Sequence, residues 1–385
     1  MAKHAQKLDR RKRSITIASS VAGVALGAIV TLSLTASGQT GGSVQGDQTC
    51  SFSILAGVVS PLACVAAPTT EPTTPPATTT VPPTTIPPTT APPTSPSASE
   101  TTPPSGDYPD ASTTGVLAGK PVQRVPEDIT SGAGWKVVNG NVIISGNGAV
   151  FTGYQVSETV QITGANVTVS NNIVQFLGGG GNNFGIELRH AKNATIEHNQ
   201  ISAMQPSGGT DTGRLTAGIK DIFFDSTGTK ILANDIADAS CGIQTNSGLV
   251  QDNYVHNLAS QGNDHVNAVL SGSAGPEPLI VRHNTLLNQL GQNSAVAFYE
   301  DGGSQGNHTV DNNLLGGGGY VIYEGGGDHS GIPNPPNMAF TNNQFTTRYA
   351  AKGGYYGPVA YPVSGATWSG NVWADGPNAG HAVTQ

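Results

Sequence analysis

One short phrase recurs eight times between Val169 and Trp373: an apolar residue, two variable positions, an asparagine, one variable position and a second apolar residue. The asparagines of the eight copies are Asn172, Asn199, Asn234, Asn253, Asn284, Asn313, Asn343 and Asn371. They are spaced by 19 to 35 residues, which is the period of a solenoid built from stacked units. The repeat therefore constrains the fold more than any other feature of the chain.

Each copy predicts a strand, a sharp corner and the beginning of a second strand. Alternating apolar and polar side chains turn one side of a strand inward. Asparagine tolerates left-handed backbone angles, and stacked asparagines can bond to one another through their amides. A further short strand is predicted upstream of most copies, at Gly185–Leu188, Gly218–Asp221, Gly242–Thr245, Ala268–Ser271, Ala295–Phe298, Tyr320–Tyr323 and Pro358–Tyr361.

Two or three short strands per period, without a helix-length apolar pattern, predict an all-β fold. We expect a right-handed parallel β-helix of about nine coils over residues 115–385, because parallel crossover connections are right-handed. The longest step, between Asn199 and Asn234, contains an insertion at Gln205–Thr216. This insertion is predicted to project as a loop, and such loops often carry function.

The first 36 residues have the pattern of an export signal or a membrane anchor. Six of the 17 basic side chains lie within residues 1–13, and the 22 residues Ile15–Ala36 carry no charge. The stretch predicts an apolar helix, which is either cleaved as a signal or retained as an anchor. In both cases the remainder of the chain is predicted to be extracellular.

Two further segments precede the repeats. Residues 37–67 contain Cys50 and Cys64, which could pair in an oxidising compartment. Residues 68–114 are dominated by threonine and proline, and they predict a disordered, extended spacer. The third cysteine, Cys241, is predicted to be a small buried apolar side chain rather than a nucleophile.

The charge balance limits the possible partners. Residues 115–385 contain 11 of the 17 basic and 19 of the 25 acidic side chains, which disfavours binding to nucleic acid. Contact with a membrane is predicted only through the N-terminal segment, and the chain is expected to be a monomer. Most aromatic residues occur late in the sequence, and some of them are expected to close the last coil.

One candidate site follows from the columns that outward side chains form on stacked strands, about 4.8 Å apart. If the upstream strands align by their Gly-Ile pairs, Glu187, Lys220 and Gln244 lie on adjacent coils. A polar row of this kind is typical of a saccharide groove. Its substrate-binding residues would be Glu187, Arg189, Gln244 and Arg214.

The same row suggests lyase chemistry on a uronate polymer. Lys220 would remove the proton next to the carboxylate, and Glu187, Asp211 and Asp221 would hold a Ca²⁺ ion. Alternatively, these charges pair with one another on a solvated face and have no catalytic role. No other cofactor is predicted.

Asp264 and His265 form a second candidate cluster, in which they could serve as general acid and base. A glycosidase needs two carboxylates across the scissile bond, and Asp264 could pair with Asp221 or Asp238. A purely structural histidine at a turn is the alternative.

The chain resembles the right-handed parallel β-helix proteins that actinobacteria export, a group within the pectate-lyase-like superfamily. The resemblance covers roughly residues 120–385. It rests on the asparagine repeats and on the sequences Asn263–Val269, Gly353–Val359 and Gly370–Trp373. In relatives an acid and a glutamine are expected where this chain has Asn267 and Leu270.

This resemblance implies an exported or cell-surface protein that acts on or binds polysaccharide, as a lyase or a glycoside hydrolase. Fold analogy does not establish chemistry. The alternative is a non-catalytic module that binds glycan or serves as a structural element or adhesin.

Overall fold

A computed structural model describes residues 30–35, 48–55, 58–66, 108–116, 123–177, 183–204, 213–261, 263–326 and 334–385. The chain forms two compact units, Met1–Thr94 and Ser95–Gln385. In the first unit, the strands Val30–Thr35, Gln48–Leu55 and Val58–Ala66 form an antiparallel sheet in that order. Cys50 and Cys64 are register partners in this sheet, and their pairing as a disulfide stays a prediction.

The predicted apolar helix at Ile15–Ala36 lies mostly outside the described residues. The part that is described, Val30–Thr35, is a strand and not the end of a helix. Where the structure describes the chain, it contains no helix long and apolar enough to cross a bilayer.

The second unit is a parallel β-helix in which each coil adds one strand to each of three sheets. The strands of sheet I are Ser131–Gly132, Trp135–Val138, Asn141–Ile144, Thr159–Ile162, Phe184–Leu188, Leu215–Asp221, Ala239–Gln244, Asn267–Ser271, Ser294–Phe298, Tyr320–Tyr323 and Gly357–Ala360. Those of sheet II are Val150–Thr152, Thr168–Ser170, Thr195–Glu197, Lys230–Leu232, Gly248–Gln251, Leu279–Arg282, His308–Asp311, Ala339–Thr341 and Thr367–Ser369. Those of sheet III are Gln123–Val125, Tyr154–Val156, Ile173–Leu177, Gln200–Met204, Asp235–Ile236, Tyr254–Val255, Thr285–Asn288, Leu314–Gly317, Gln344–Phe345 and Val372–Trp373.

This arrangement confirms the predicted fold. The repeated phrase supplies the strand of sheet II, the corner and the strand of sheet III, and the upstream strands form sheet I. The nine strands of sheet II correspond to the expected nine coils.

The chain turns sharply between sheets II and III, but the residue that makes the turn is not the predicted one. The left-handed residue is not the repeated asparagine but the residue before it, with φ between 50° and 68°. These residues are Asn171, His198, Ala233, Asp252, His283, Asn312, Asn342 and Gly370. The position therefore tolerates several residue types, whereas the asparagine itself is needed for its amide.

The eight repeated asparagines form a continuous buried ladder. Each amide nitrogen donates to the side-chain oxygen of the next asparagine at 2.9 to 3.0 Å, from Asn172 to Asn371. The same nitrogen also donates to a backbone carbonyl of the preceding coil. The ladder thus satisfies main-chain groups that the corner would otherwise leave unpaired in a dry interior.

Aromatic residues close both ends of the apolar core. Trp135, on an antiparallel strand, packs edge-on against Phe151 at the first coils. At the other end, Trp368 packs against Phe340 and Phe345, and its indole nitrogen donates to the carbonyl of Val383 at 2.8 Å. The expectation that late aromatics close the last coil is confirmed for the tryptophans.

Residues 108–116 form a strap along the corner between sheets II and III. Tyr108 stacks on His283 with ring centroids 5.6 Å apart, and its hydroxyl donates to the Asn312 side chain at 3.1 Å. The amide of Gly115 donates to the carbonyl of Ala233 at 3.0 Å. Residues 108–114, which the sequence assigns to the spacer, therefore lie against the coils, and the spacer itself stays a prediction outside the described residues.

Replacing Tyr108 with alanine is expected to loosen this strap without unfolding the coils. The substitution removes a ring contact and one hydrogen bond at the surface, worth together about 1 to 2 kcal/mol. Hydrogen exchange should show faster exchange at the amide of Gly115 and unchanged exchange at Ile231. Equal exchange at the Gly115 amide in the wild type and in Tyr108→Ala would contradict an anchoring role for Tyr108.

Candidate functional site

The outer face of sheet I carries the predicted polar row. One column of register partners runs through Gln161, Glu187, Lys220, Gln244, Leu270, Ala297 and Tyr323. Glu187, Lys220 and Gln244 are thus neighbours on consecutive coils, as the sequence predicts. A second column runs beside it through Phe184, Ala217, Cys241, Asn267 and Ser294.

Lys220 is a half-buried cation surrounded by aromatic rings. Its ammonium group lies 5.0 Å from the ring centre of Phe184 and 5.9 Å from that of Phe224. Burial lowers the pKa of Lys220, since a desolvated ammonium loses hydration. The nearby Glu187 is instead bound by Arg189, whose Nε lies 2.6 Å from the carboxylate. Glu187 and Arg189 therefore engage each other rather than an open groove.

Asp221 lies on the opposite side of the sheet from Lys220. It is buried in the interior, where its carboxylate accepts hydrogen bonds from the amide and the hydroxyl of Ser226. Burial raises the pKa of Asp221 in spite of these bonds. Because neighbouring residues of a strand point to opposite faces, the structure does not bring Asp221 together with Lys220, and its roles as a catalytic carboxylate and as a Ca²⁺ ligand stay predictions.

Of the three residues predicted to bind Ca²⁺, the two that the structure describes lie on opposite faces of sheet I. Glu187 faces outward and is bound by Arg189, Asp221 faces inward, and Asp211 lies outside the described residues. In the described part of the chain, no three histidine, cysteine or carboxylate side chains converge in a way that could hold a metal ion. The two described ligands, Glu187 and Asp221, are therefore not brought together, and the Ca²⁺ site stays a prediction.

Asp264 lies beside sheet I in a hydrogen-bonded group with Arg214, Ser240 and Gln261, which we call the clamp. Arg214 donates to its carboxylate at 3.0 Å, Ser240 at 2.6 Å and the amide of Gln261 at 2.8 Å. Arg214 also donates to the hydroxyl of Thr216 at 3.2 Å. These bonds hold the segment around Gln261 next to the outer face of sheet I. Because the carboxylate of Asp264 is occupied by these donors, neither Asp264 nor Arg214 is well placed to act on a substrate.

His265 is exposed at the edge of a hydrogen-bonded group on the same face. Asn293 bonds to both His265 and the hydroxyl of Tyr299, at 3.2 Å and 3.1 Å. Asn267 is fully buried and accepts from Ser294 at 2.7 Å, while its own amide nitrogen has no partner. Burial raises the pKa of Tyr299 to about 12, so this phenol remains protonated.

Cys241 is buried in the second column, as predicted. Burial raises the pKa of its thiol to about 12, and the nearby Lys220 offsets this only partly. The thiol is therefore not a nucleophile at neutral pH.

Sequence reasoning missed a group of tyrosines that continues the face toward the last coils. We call Tyr320, Tyr323, Tyr355, Tyr356 and Tyr361 the tyrosine cluster. Neighbouring rings lie 4.8 to 5.7 Å apart. Tyr355 is 65% exposed, Tyr356 is 60% exposed and Tyr361 is 44% exposed, which is unusual for rings of this size.

The sequence predicts only that some of the late aromatic residues close the last coil. Tyr320 and Tyr323 occupy the same strand positions as Phe184 and Glu187, so the strand alignment itself was the signal that could have found them. The outer face of sheet I thus combines a half-buried cation, an uncharged middle and an exposed aromatic end.

No protein-family description, no curated protein and no solved structure matches the chain. The fold defines a class, the parallel β-helix solenoid, and the outer face of sheet I is the candidate site.

Proposed function

We propose that this protein is an exported or cell-surface β-helix that binds polysaccharide along the outer face of sheet I. The observation that carries the proposal is the tyrosine cluster, with three of its rings between 44% and 65% exposed. Exposed apolar area gathered in one place on a soluble domain marks a binding surface. Tyrosine offers an apolar ring for the C–H faces of a sugar and a hydroxyl for its polar edge.

The charges on the face favour binding over cleavage. Glu187 is bound by Arg189, and Asp264 is bound by Arg214 and Ser240. A glycosidase needs one carboxylate that is free to donate a proton and a second that can attack or activate water. Neither of these engaged carboxylates is suited to that work, so we favour a non-catalytic glycan-binding role.

The cellular location in this proposal rests on the sequence. A basic start, an uncharged apolar stretch and a threonine- and proline-rich spacer are typical of export followed by a stalk. The resemblance to exported actinobacterial β-helix proteins agrees with this location and with a polysaccharide partner.

A lyase is the second candidate, and one observation favours it. Lys220 is on the face, and burial lowers its pKa, which favours the neutral amine that a proton-abstracting base requires. A lyase would release unsaturated uronate products, whereas a binding protein would release none.

Affinity electrophoresis of the full chain through gels containing neutral and uronate polysaccharides tests the proposal. We expect at least one polymer to retard the wild-type protein, and Tyr355→Ala with Tyr356→Ala to abolish the retardation. Val150→Ala removes an equally exposed apolar side chain on sheet II and should have no effect. Equal mobility in every gel would refute polysaccharide binding.

The same samples decide between binding and cleavage. Absorbance of unsaturated uronate that appears with wild-type protein and disappears with Lys220→Ala would establish the lyase. We expect no such product, because the carboxylates of Glu187 and Asp264 are already engaged by Arg189 and Arg214.

A further inference from the structure

We infer that the face holds one glycan chain lengthwise, at two aromatic subsites that are bound at the same time. The inference rests on the proposed function and adds the direction, the length and the charge of the ligand. The first subsite is the tyrosine cluster. The second, which we call the phenylalanine cluster, consists of Phe184, Phe223 and Phe224.

The phenylalanine cluster exposes the ring of Phe223, and the cationic side chain of Arg189 lies next to it. Phe223 is 49% exposed and stacks on His190, with ring centres 4.2 Å apart and planes within 3°. The guanidinium of Arg189 lies 5.8 Å from the centre of the Phe223 ring. The contacts of Lys220 with Phe184 and Phe224 bring the platform to the edge of sheet I.

The two clusters are linked by one column of register partners on sheet I. Lys220, which contacts the phenylalanine cluster, is followed in register by Gln244, Leu270 and Ala297, and then by Tyr323 of the tyrosine cluster. Four steps of about 4.8 Å separate the clusters by roughly 19 Å. A linear polymer that reaches from one cluster to the other must therefore run along the solenoid axis, across the strands.

The floor between the clusters determines the charge of the bound chain. Gln244 and Leu270 are half-buried and uncharged, and the next position is the fully buried Ala297, although the domain as a whole is acidic. A neutral sugar chain meets no repulsion on this floor. A densely anionic chain would meet only one unpaired cation on the column, Lys220, and an unfavourable field elsewhere.

Simultaneous occupation of two linked subsites predicts a dependence on chain length. Once one cluster holds the chain, the other meets it at a high effective concentration, so long chains bind far more tightly than short ones. A disaccharide is shorter than the separation of the clusters, and each cluster would then bind its own molecule.

The test compares the intact polymer that retards the full chain with disaccharides prepared from it, using isothermal titration calorimetry. The variants are Phe223→Ala, Tyr356→Ala and the double variant, with Val150→Ala as the matched surface control. With the polymer, each single variant is expected to lose at least about tenfold in affinity. With disaccharides, each single variant is expected to lose one of two weak sites and leave the other unchanged.

The outcomes separate this inference from the proposed function. If Tyr356→Ala alone abolishes binding and Phe223→Ala has no effect on the polymer, the face has one subsite and the inference is wrong, while polysaccharide binding stands. Preference for a uronate polymer over every neutral one would overturn the inferred charge of the ligand. Failure of every polymer to retard the protein would overturn both proposals.

Discussion

Asn253→Ala is expected to destabilise the solenoid by about 3 to 5 kcal/mol, because it interrupts the asparagine ladder at its centre. The Asn253 amide nitrogen donates to Asn284 and to the carbonyls of Ile231 and Gln251, each at 2.9 Å. Its oxygen accepts from the backbone and the side chain of Asn234. Alanine removes all five of these bonds and leaves the backbone amide of Asn234 without the side-chain oxygen that it donates to, in a buried part of the coil.

Urea unfolding followed by circular dichroism measures this loss, as a lower midpoint for Asn253→Ala than for wild type. The matched control is Gln175→Ala, which removes a partly buried hydrogen bond to Ser202 on the outside of sheet III. We expect a loss below about 1 kcal/mol for the control. Similar midpoints for the two variants would show that the ladder is not a main source of stability.

Glu324→Gln is expected to stabilise the protein by up to about 3 kcal/mol above neutral pH. Glu324 is fully buried, and burial raises its pKa from 4.5 to about 7, although Val363 and Gln385 donate hydrogen bonds to it. Between about pH 4.5 and about pH 7, Glu324 is therefore protonated in the folded state and ionised in the unfolded state. Wild-type stability falls as pH rises from about 4.5 to about 7, and the glutamine variant lacks this loss.

His308 has the opposite effect on the acid side. It is buried beside Phe298 and Gln305, and burial lowers its pKa from 6.5 to about 4. Between about pH 6.5 and about pH 4, His308 is protonated in the unfolded state and neutral in the folded state. The free energy of unfolding therefore falls as the pH drops through this range. The two residues offset each other between these limits, and the wild-type protein should change little there.

Thermal unfolding at about pH 5 and about pH 8 separates the two contributions. Acidification should destabilise Glu324→Gln, which keeps only the histidine effect. The same change should stabilise His308→Gln, which keeps only the glutamate effect. Parallel pH profiles for the three proteins would contradict the assignment of these groups.

The fold was predictable because its information is local and repeated. Each phrase places apolar residues such as Val250 and Val255 on either side of a corner, and eight copies leave little choice of architecture. The detailed geometry of the corner was less accessible. Residues as different as Ala233 and His283 hold the left-handed position, because the ladder of the following asparagines stabilises the turn.

The candidate site was predictable only in part. Alternation correctly places Glu187, Lys220 and Gln244 in one row, and it also assigns Asp221 to the inner side with Ile219. The usual exposure of carboxylates argued against that assignment, and Ser226 makes the burial possible. The clamp between Arg214 and Asp264 joins residues 50 positions apart, which no local pattern reveals.

The strap has a mechanical consequence. Its anchor, Tyr108, contacts His283 and Asn312 at the corner between sheets II and III, which lies across the three-sided coil from sheet I. A force applied to the chain at Tyr108 enters the solenoid at this back edge, level with the coils that end in Phe298 and Tyr323. The force then crosses the short dimension of the stack instead of peeling coils from one end.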